Sequence, residues 1–174
     1  MEDPVPFASR TWFIMLGLLV FARGMDILST RIATPNLVLE GNPIAKKLGW
    51  RWGLLFNAAF CLAAPCWQLI SVSVATISLL VAAHNFKQAW LMHSMGEESY
   101  REWHVARILE ARLSLYLFCL LGETALTDLV GAAVMYFSHM ELIPLAIGWG
   151  IVGYAFAVAV FTLLSVWRLR RSVG

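Results

Sequence analysis

Charge is what this chain has least of. Charged residues make up 14% of its 174 residues, where a soluble domain carries roughly 25%. That scarcity, beside a hydrophobic content of 60%, excludes an ordinary water-soluble domain and leaves a polytopic membrane protein. Cysteine is scarce too. Cys61, Cys66 and Cys119 all lie in apolar runs, and an odd number there argues against a disulfide framework. They read as small buried hydrophobes. There is no His-Glu-x-x-His, Gly-rich phosphate loop, nucleophile elbow, haem-attachment motif or nucleic-acid module. His84, His93 and His104 are too irregularly spaced to form a metal signature. No metal ligand and no cofactor is therefore assigned, and no nucleic-acid partner is expected. The segment from Met1 to Phe7 is acidic and Pro-containing, without the basic start of a cleavable signal peptide. Internal repeats and low-complexity segments are lacking, so residues 1–174 read as a single transmembrane domain.

What is present is a succession of long apolar runs. A membrane-spanning helix needs about 20 apolar residues. Five such spans are expected, at about 12–33, 52–69, 72–92, 113–137 and 145–167. The second is expected to kink at Pro65 and to join the third through a tight turn at Ser71. A surface helix is expected over about 97–112, with Glu97 and Glu98 at its start and Arg112 in its later turns. Trp50, Trp52, Trp103, Trp149 and Trp167 stand mostly near span ends, as interfacial anchors do. Gly148, Gly150 and Gly153 permit close helix approach in the last span.

Basic residues orient the chain. With five spans, Lys46, Lys47, Arg51, Arg101, Arg107, Arg112, Arg168, Arg170 and Arg171 fall on one side, with Arg31 at its border and Arg10 alone on the other. By the positive-inside rule the N-terminus is outside and the C-terminus cytoplasmic.

Ionisable residues inside such runs are costly and mark polar sites by default. At 1.5 Å per residue, Arg23 lies roughly 16 Å and Asp26 roughly 21 Å along the first span. His84 and Lys87 lie roughly 18 Å and 22 Å along the third, and Glu123 roughly 21 Å along the fourth counted from Phe137. Three helices thus place five ionisable groups in one layer of the cytoplasmic half. Arg23, Asp26 and Thr30 share about a 60° arc of the first helix. His84, Lys87 and Gln88 cluster on the third, with Asn85 about 100° round. Tyr116, Glu123 and Thr127 share a face of the fourth, and Asp128 lies on another. Arg23 and Glu123 are expected to face one another or share a polar cavity. Asp26 and Thr30, with Glu40 and Asn42 from the following loop, are expected to form one side of a site, and His84 with Asn85 or Lys87 the other.

Asp26-x-x-Ser29-Thr30, followed by Glu40-x-Asn42-Pro43, resembles the motif of a family of small bacterial and archaeal integral membrane proteins, a domain of unknown function. The resemblance covers Asp26 to about Gly49. It implies no activity, but it implies that Asp26, Thr30, Glu40, Asn42 and Pro43 belong together. Gly41 departs from the small residue, such as Ala, expected between Glu and Asn. Gly41, Asn42 and Pro43 also suit a plain turn, with Pro43 in the first turn of a helix.

Three functions fit these residues in a bacterial or archaeal cytoplasmic membrane. The first is a cytoplasm-facing intramembrane site that binds or transports a small ion, an anionic ligand or a lipid headgroup. The second is an accessory subunit of a larger membrane complex, its ion pairs fixing which helices pack together. The third is a membrane-embedded, metal-assisted hydrolase using the carboxylates and His84. Membrane lipids are expected partners, with a homo-oligomer or a larger complex as further ones.

Overall fold

A computed structural model describes residues 4–40 and 43–171. The fold is all-α. Its helices are α1 (Arg10–Ala33), α2 (Pro43–Ala63), α3 (Gln68–Met95), α4 (Glu97–Glu110), α5 (Leu113–Phe137) and α6 (Leu142–Arg171), with a 3-10 turn at Ala64–Cys66. Four of them, α1, α3, α5 and α6, are long and apolar enough to cross a membrane.

α1 begins where Ser9 caps it, its hydroxyl oxygen accepting from the Trp12 amide at 3.2 Å. Its buried residues, Trp12, Met15, Leu19, Ala22, Ser29 and Ala33, recur at three- and four-residue steps and form one stripe. α3 answers with small side chains: Ser71, Ala75, Ser78, Ala82 and Ala89 are all buried. In lipid, apolar side chains gain little from burial against one another, so close backbone approach by small residues carries the association. The same device joins the other helices. A Cβ on Gly148 of α6 would stand 2.4 Å from Met135 Cγ and 2.8 Å from the Gly131 carbonyl oxygen of α5. One on Gly150 would stand 2.8 Å from the Ser73 carbonyl oxygen of α3. The helices therefore pack in the order α1, α3, α6, α5, each extensively on the next. Of the glycines expected to allow this, all three meet neighbours within 4 Å, and Gly131 of α5 joins them.

α2 is different. Its first two turns carry Lys46 and Lys47, and Gly49 breaks it with φ +66°, a left-handed conformation that a side chain would resist. Residues 50–63 then climb roughly 21 Å. α2 rests lightly on α1 and on the 3-10 turn, with scarcely any backbone packing on α3 or α6.

Hydrogen bonds sort the connections into two ends. At the upper end, where the chain starts, the Val5 amide donates to the Cys66 carbonyl (2.8 Å), and the Ser73 hydroxyl to the Ala146 carbonyl (2.9 Å). At the lower end the Asn36 amide donates to Glu97 Oε1 (2.8 Å), Trp50 Nε1 to the Pro35 carbonyl (2.7 Å), and Arg170 Nη2 to the Ile108 and Ala111 carbonyls (3.1 and 3.0 Å). α4 lies across this lower end. Its buried Tyr100 donates to Gln88 Oε1 (3.1 Å) and stacks on His104.

Several expected boundaries move. The second helix starts at Pro43, nine residues before 52, because Pro43 is a good first-turn residue and a glycine bend absorbs the change of direction at Gly49. Pro65 is not a kink within that helix but part of the turn that ends it. The turn expected at Ser71 is absent; α3 already starts at Gln68, and buried Ser71 donates back to the Ala64 carbonyl at 2.9 Å. α4 stops at Glu110 rather than Arg112, and α6 starts at Leu142 and runs to Arg171.

The glycine contacts make a direct prediction. Gly148→Val should separate α5 from α6 and lower the melting temperature in detergent, by an overpacking penalty of about 1–3 kcal/mol. Gly17→Ala, with nothing within 4 Å of the added carbon, should melt as the unaltered protein does. Equal melting of both variants would contradict the close α5–α6 approach.

Candidate functional site

Burying one guanidinium organises the centre of the bundle. Arg23 sits halfway along α1 and is only partly exposed. A lone charge at that depth is unfavourable by several kcal/mol unless it is paired and hydrogen-bonded. Its Nε donates to Asn57 Oδ1 of α2 at 2.6 Å. Its Nη1 donates both to Asp26 Oδ2 at 2.9 Å and to Ser78 Oγ of α3 at 3.0 Å. Asn57 is itself held by its Nδ2, which donates to the Gly53 carbonyl at 2.8 Å. One side chain thus ties α1 to both α2 and α3, and its counter-ion is supplied one helical turn away.

A second polar step lies below. Asn85 Nδ2 donates to Ser29 Oγ (3.3 Å) and Thr30 Oγ1 (3.2 Å), again linking α3 to α1. Ser29 in turn donates to the Asp26 carbonyl at 2.9 Å. Both long contacts are marginal in distance, so this step is weaker than the one at Arg23.

Beneath the Arg23 network opens a cavity of about 480 Å³. Asp26 and Thr30 line it from α1, Glu40 from the connecting loop, His84 and Asn85 from α3, and Tyr154 from α6. The walls between them are apolar, with Ile27, Leu54, Val81, Val158 and Phe161 among their residues. The lining reaches from Arg23 to Thr34 and Glu40 at the lower end, roughly 16 Å of helix rise. Glu40 is near enough to Asp26 for the two charges to act on one another.

The expected site therefore assembles in part. Arg23, Asp26, Thr30, Glu40, His84 and Asn85 surround one space. Asn42 lies outside the described residues. Lys87 does not line the cavity and is exposed. The lining residues of α3 centre between His84 and Asn85, and Lys87 points roughly 110° away from that centre. Glu123 is also exposed and absent from the cavity. Among the described residues α5 packs extensively on α6 and on no other helix to a comparable extent, so α6 stands between Glu123 and Arg23, and the pairing expected of those two does not form. Glu123 instead lies within electrostatic reach of Tyr116 and of Tyr154. Gln88 is drawn off to α4 by Tyr100.

Asn57, Ser78 and Tyr154 were not expected. Asn57 could have been found as the amide in the middle of the second apolar run, Gln68 standing at its end, since an unpaired amide in hydrocarbon needs a partner. Ser78 and Tyr154 carry no such signal, because Ser and Tyr are common in apolar helices for other reasons.

Several polar groups of the lining residues lack protein hydrogen-bond partners among the described residues. They are Asp26 Oδ1, both ring nitrogens of His84, the Tyr154 hydroxyl and the Nη2 of Arg23. Donors and acceptors left open in an apolar recess are what a polar ligand or water requires. Among the described residues no three of His, Cys, Asp and Glu come close enough to hold a metal ion. Compared with models of protein families, with curated proteins and with solved structures, the chain matches none.

The network predicts its own mutational signature. Arg23→Leu alone leaves the half-buried Asp26 without its counter-ion and should be destabilising, by less than the roughly 3–5 kcal/mol lost when a fully buried pair is broken. The double change Arg23→Leu with Asp26→Leu should be milder. Unfolding followed in detergent for both single variants and the double checks this; strictly additive losses would show that the two residues do not act as a pair.

Proposed function

We propose that this chain is an integral protein of a bacterial or archaeal cytoplasmic membrane whose central cavity takes up a small polar or charged ligand from the cytoplasmic side, for binding or transport. The observation that carries this is the meeting of Asp26, Thr30, Glu40, His84 and Asn85, from three separate segments, around one recess. The resemblance of Asp26, Thr30 and Glu40 to a membrane-protein motif agrees with their meeting. Lipids are the surrounding partner.

The topology belongs to the same reading. Residues 50–63 supply a fifth crossing beside the four apolar helices, which puts both chain ends on opposite sides. The lower end carries every Lys and Arg outside the apolar layer except Arg10, so it is the cytoplasmic one.

A second reading, the accessory subunit, is favoured by α5. Glu123 is exposed at membrane depth, and a further chain against α5 would cover it. Native mass spectrometry from mild detergent should then show an oligomer or a complex that Glu123→Leu alters; a monomer throughout would remove this reading.

The ligand-site reading is tested by access. In a chain carrying Cys61→Ala, Cys66→Ala and Cys119→Ala, Thr30→Cys should react with a membrane-impermeant maleimide added from the cytoplasmic side and not from outside. Reporters fused to the two ends should report opposite compartments. No reaction from either side would contradict a water-reachable cavity, and both ends in one compartment would contradict five crossings.

A further inference from the structure

We propose that this chain assembles with further copies of itself, Lys87 on α3 of one copy pairing with Glu123 on α5 of the next. This inference rests on the second reading above, a further chain against α5, and names that chain.

Two charges left over by the fold motivate it. Lys87 and Glu123 are both exposed, in helices long and apolar enough to cross a membrane. Among the described residues neither has an ion pair within its own chain. Their heights agree. Lys87 lies roughly 12 Å above Met95, where α3 ends at the lower end, and Glu123 roughly 15 Å above Leu113, where α5 starts there. Ionisable side chains at such depth are costly in lipid and as a rule pair with one another. The long stem of Lys87 can carry its ammonium toward the surface. The short Glu123 side chain has no such way out, so a cation has to come to it. Among the described residues Lys87 is the exposed Lys or Arg that lies deepest in a spanning helix.

The two do not meet inside one copy. α6 is packed between α3 and α5. α3 turns His84 and Asn85 to the recess, while Ala83, Lys87 and Trp90 are exposed outside it. Glu123 stands beyond α6, within electrostatic reach of Tyr154. A second copy supplies what each charge lacks. All copies insert with the same end in the cytoplasm, so the two charges arrive at one height. The contact joins unlike faces and therefore repeats head to tail, and a closed ring leaves neither charge over.

Both faces allow close approach. A Cβ added to Gly122, the neighbour of Glu123, would meet nothing within 4 Å, so this glycine, unlike Gly131, serves no helix contact inside the chain. Cys119, one turn before Glu123, is small and exposed, as is Ala83, one turn before Lys87. Small residues of this kind let the backbones of two spanning helices come together. Leu126 and Trp90, 67% and 70% exposed, add apolar flanks to the two charges.

The test is native mass spectrometry of the whole protein from mild detergent. The unaltered chain should appear as an assembly of identical copies. Lys87→Glu and Glu123→Lys should each lower the assembled fraction about tenfold or more, since each sets like charges face to face. Mixed in equal amounts, the two variants should associate with one another, reversed position 87 of one meeting reversed position 123 of the other. Gly122→Leu should lower the assembled fraction as well, yet melt as the unaltered chain does; it decides the matter should a charge reversal fail to fold. Assembly that persists in both reversals, or a mixture of folded variants that stays monomeric, overturns the pair. Gly122→Leu assembling as fully as the unaltered chain overturns the α5 face. A complex with a different protein and no second copy overturns self-assembly and leaves the second reading standing, whereas a monomer throughout removes both.

Discussion

Everything at the centre of this fold depends on keeping one guanidinium paired within an apolar helix. Arg23 cannot lie unpaired at half the length of an apolar helix, and the chain meets that requirement with three neighbours from three helices. Because Asp26 lies only three residues further along the same helix, the charge is compensated before any tertiary contact forms. Asn57 and Ser78 then turn a local ion pair into a junction. A junction of this kind contributes little net stability compared with an apolar substitute of the same shape. What it supplies here is register: only one rotation of α1 brings Arg23 to both α2 and α3. That rotation is also the one that turns Asp26 and Thr30 toward the recess.

The recess exists because α2 does not pack as the other helices do. Small residues draw α1, α3, α6 and α5 into a tight row, which leaves no room for a cavity between them. α2 is fastened at its two ends and at Asn57, and stands off elsewhere. The Gly49 bend sets the direction of its upper part. Polar groups above, apolar walls at the side and charged residues below divide the space into zones of different chemistry.

Much of this was legible in the residues. The scarcity of charge and the length of the apolar runs were enough for the all-α membrane class, and depth counting placed Arg23, Asp26, His84 and Asn85 in one region. Depth alone could not decide azimuth. Lys87 shares the layer but turns away, since three residues further on is a 300° rotation and not a full one. Glu123 shares the layer too, yet nothing in a single sequence says that α6 will lie between it and Arg23. The boundary near Ser71 failed for another reason. Apolar residues continue through the turn at Ala64–Trp67, so hydropathy sees no break, and only Pro65 marks the place. Where polarity and small residues carry the signal, as at Gly148 and Gly150, expectation and structure agree.

The central claim is that one stripe of α3 faces a water-reachable recess while its neighbours face lipid. A nitroxide scan along residues 77–92 of α3, read against a water-soluble nickel chelate and against oxygen, measures this directly. Nickel access should rise at Val81, His84, Asn85 and Met92, and oxygen access at Leu79, Ala83 and Trp90. Oxygen access alone at every position would mean that α3 has no aqueous face, and the account of the cavity would be wrong.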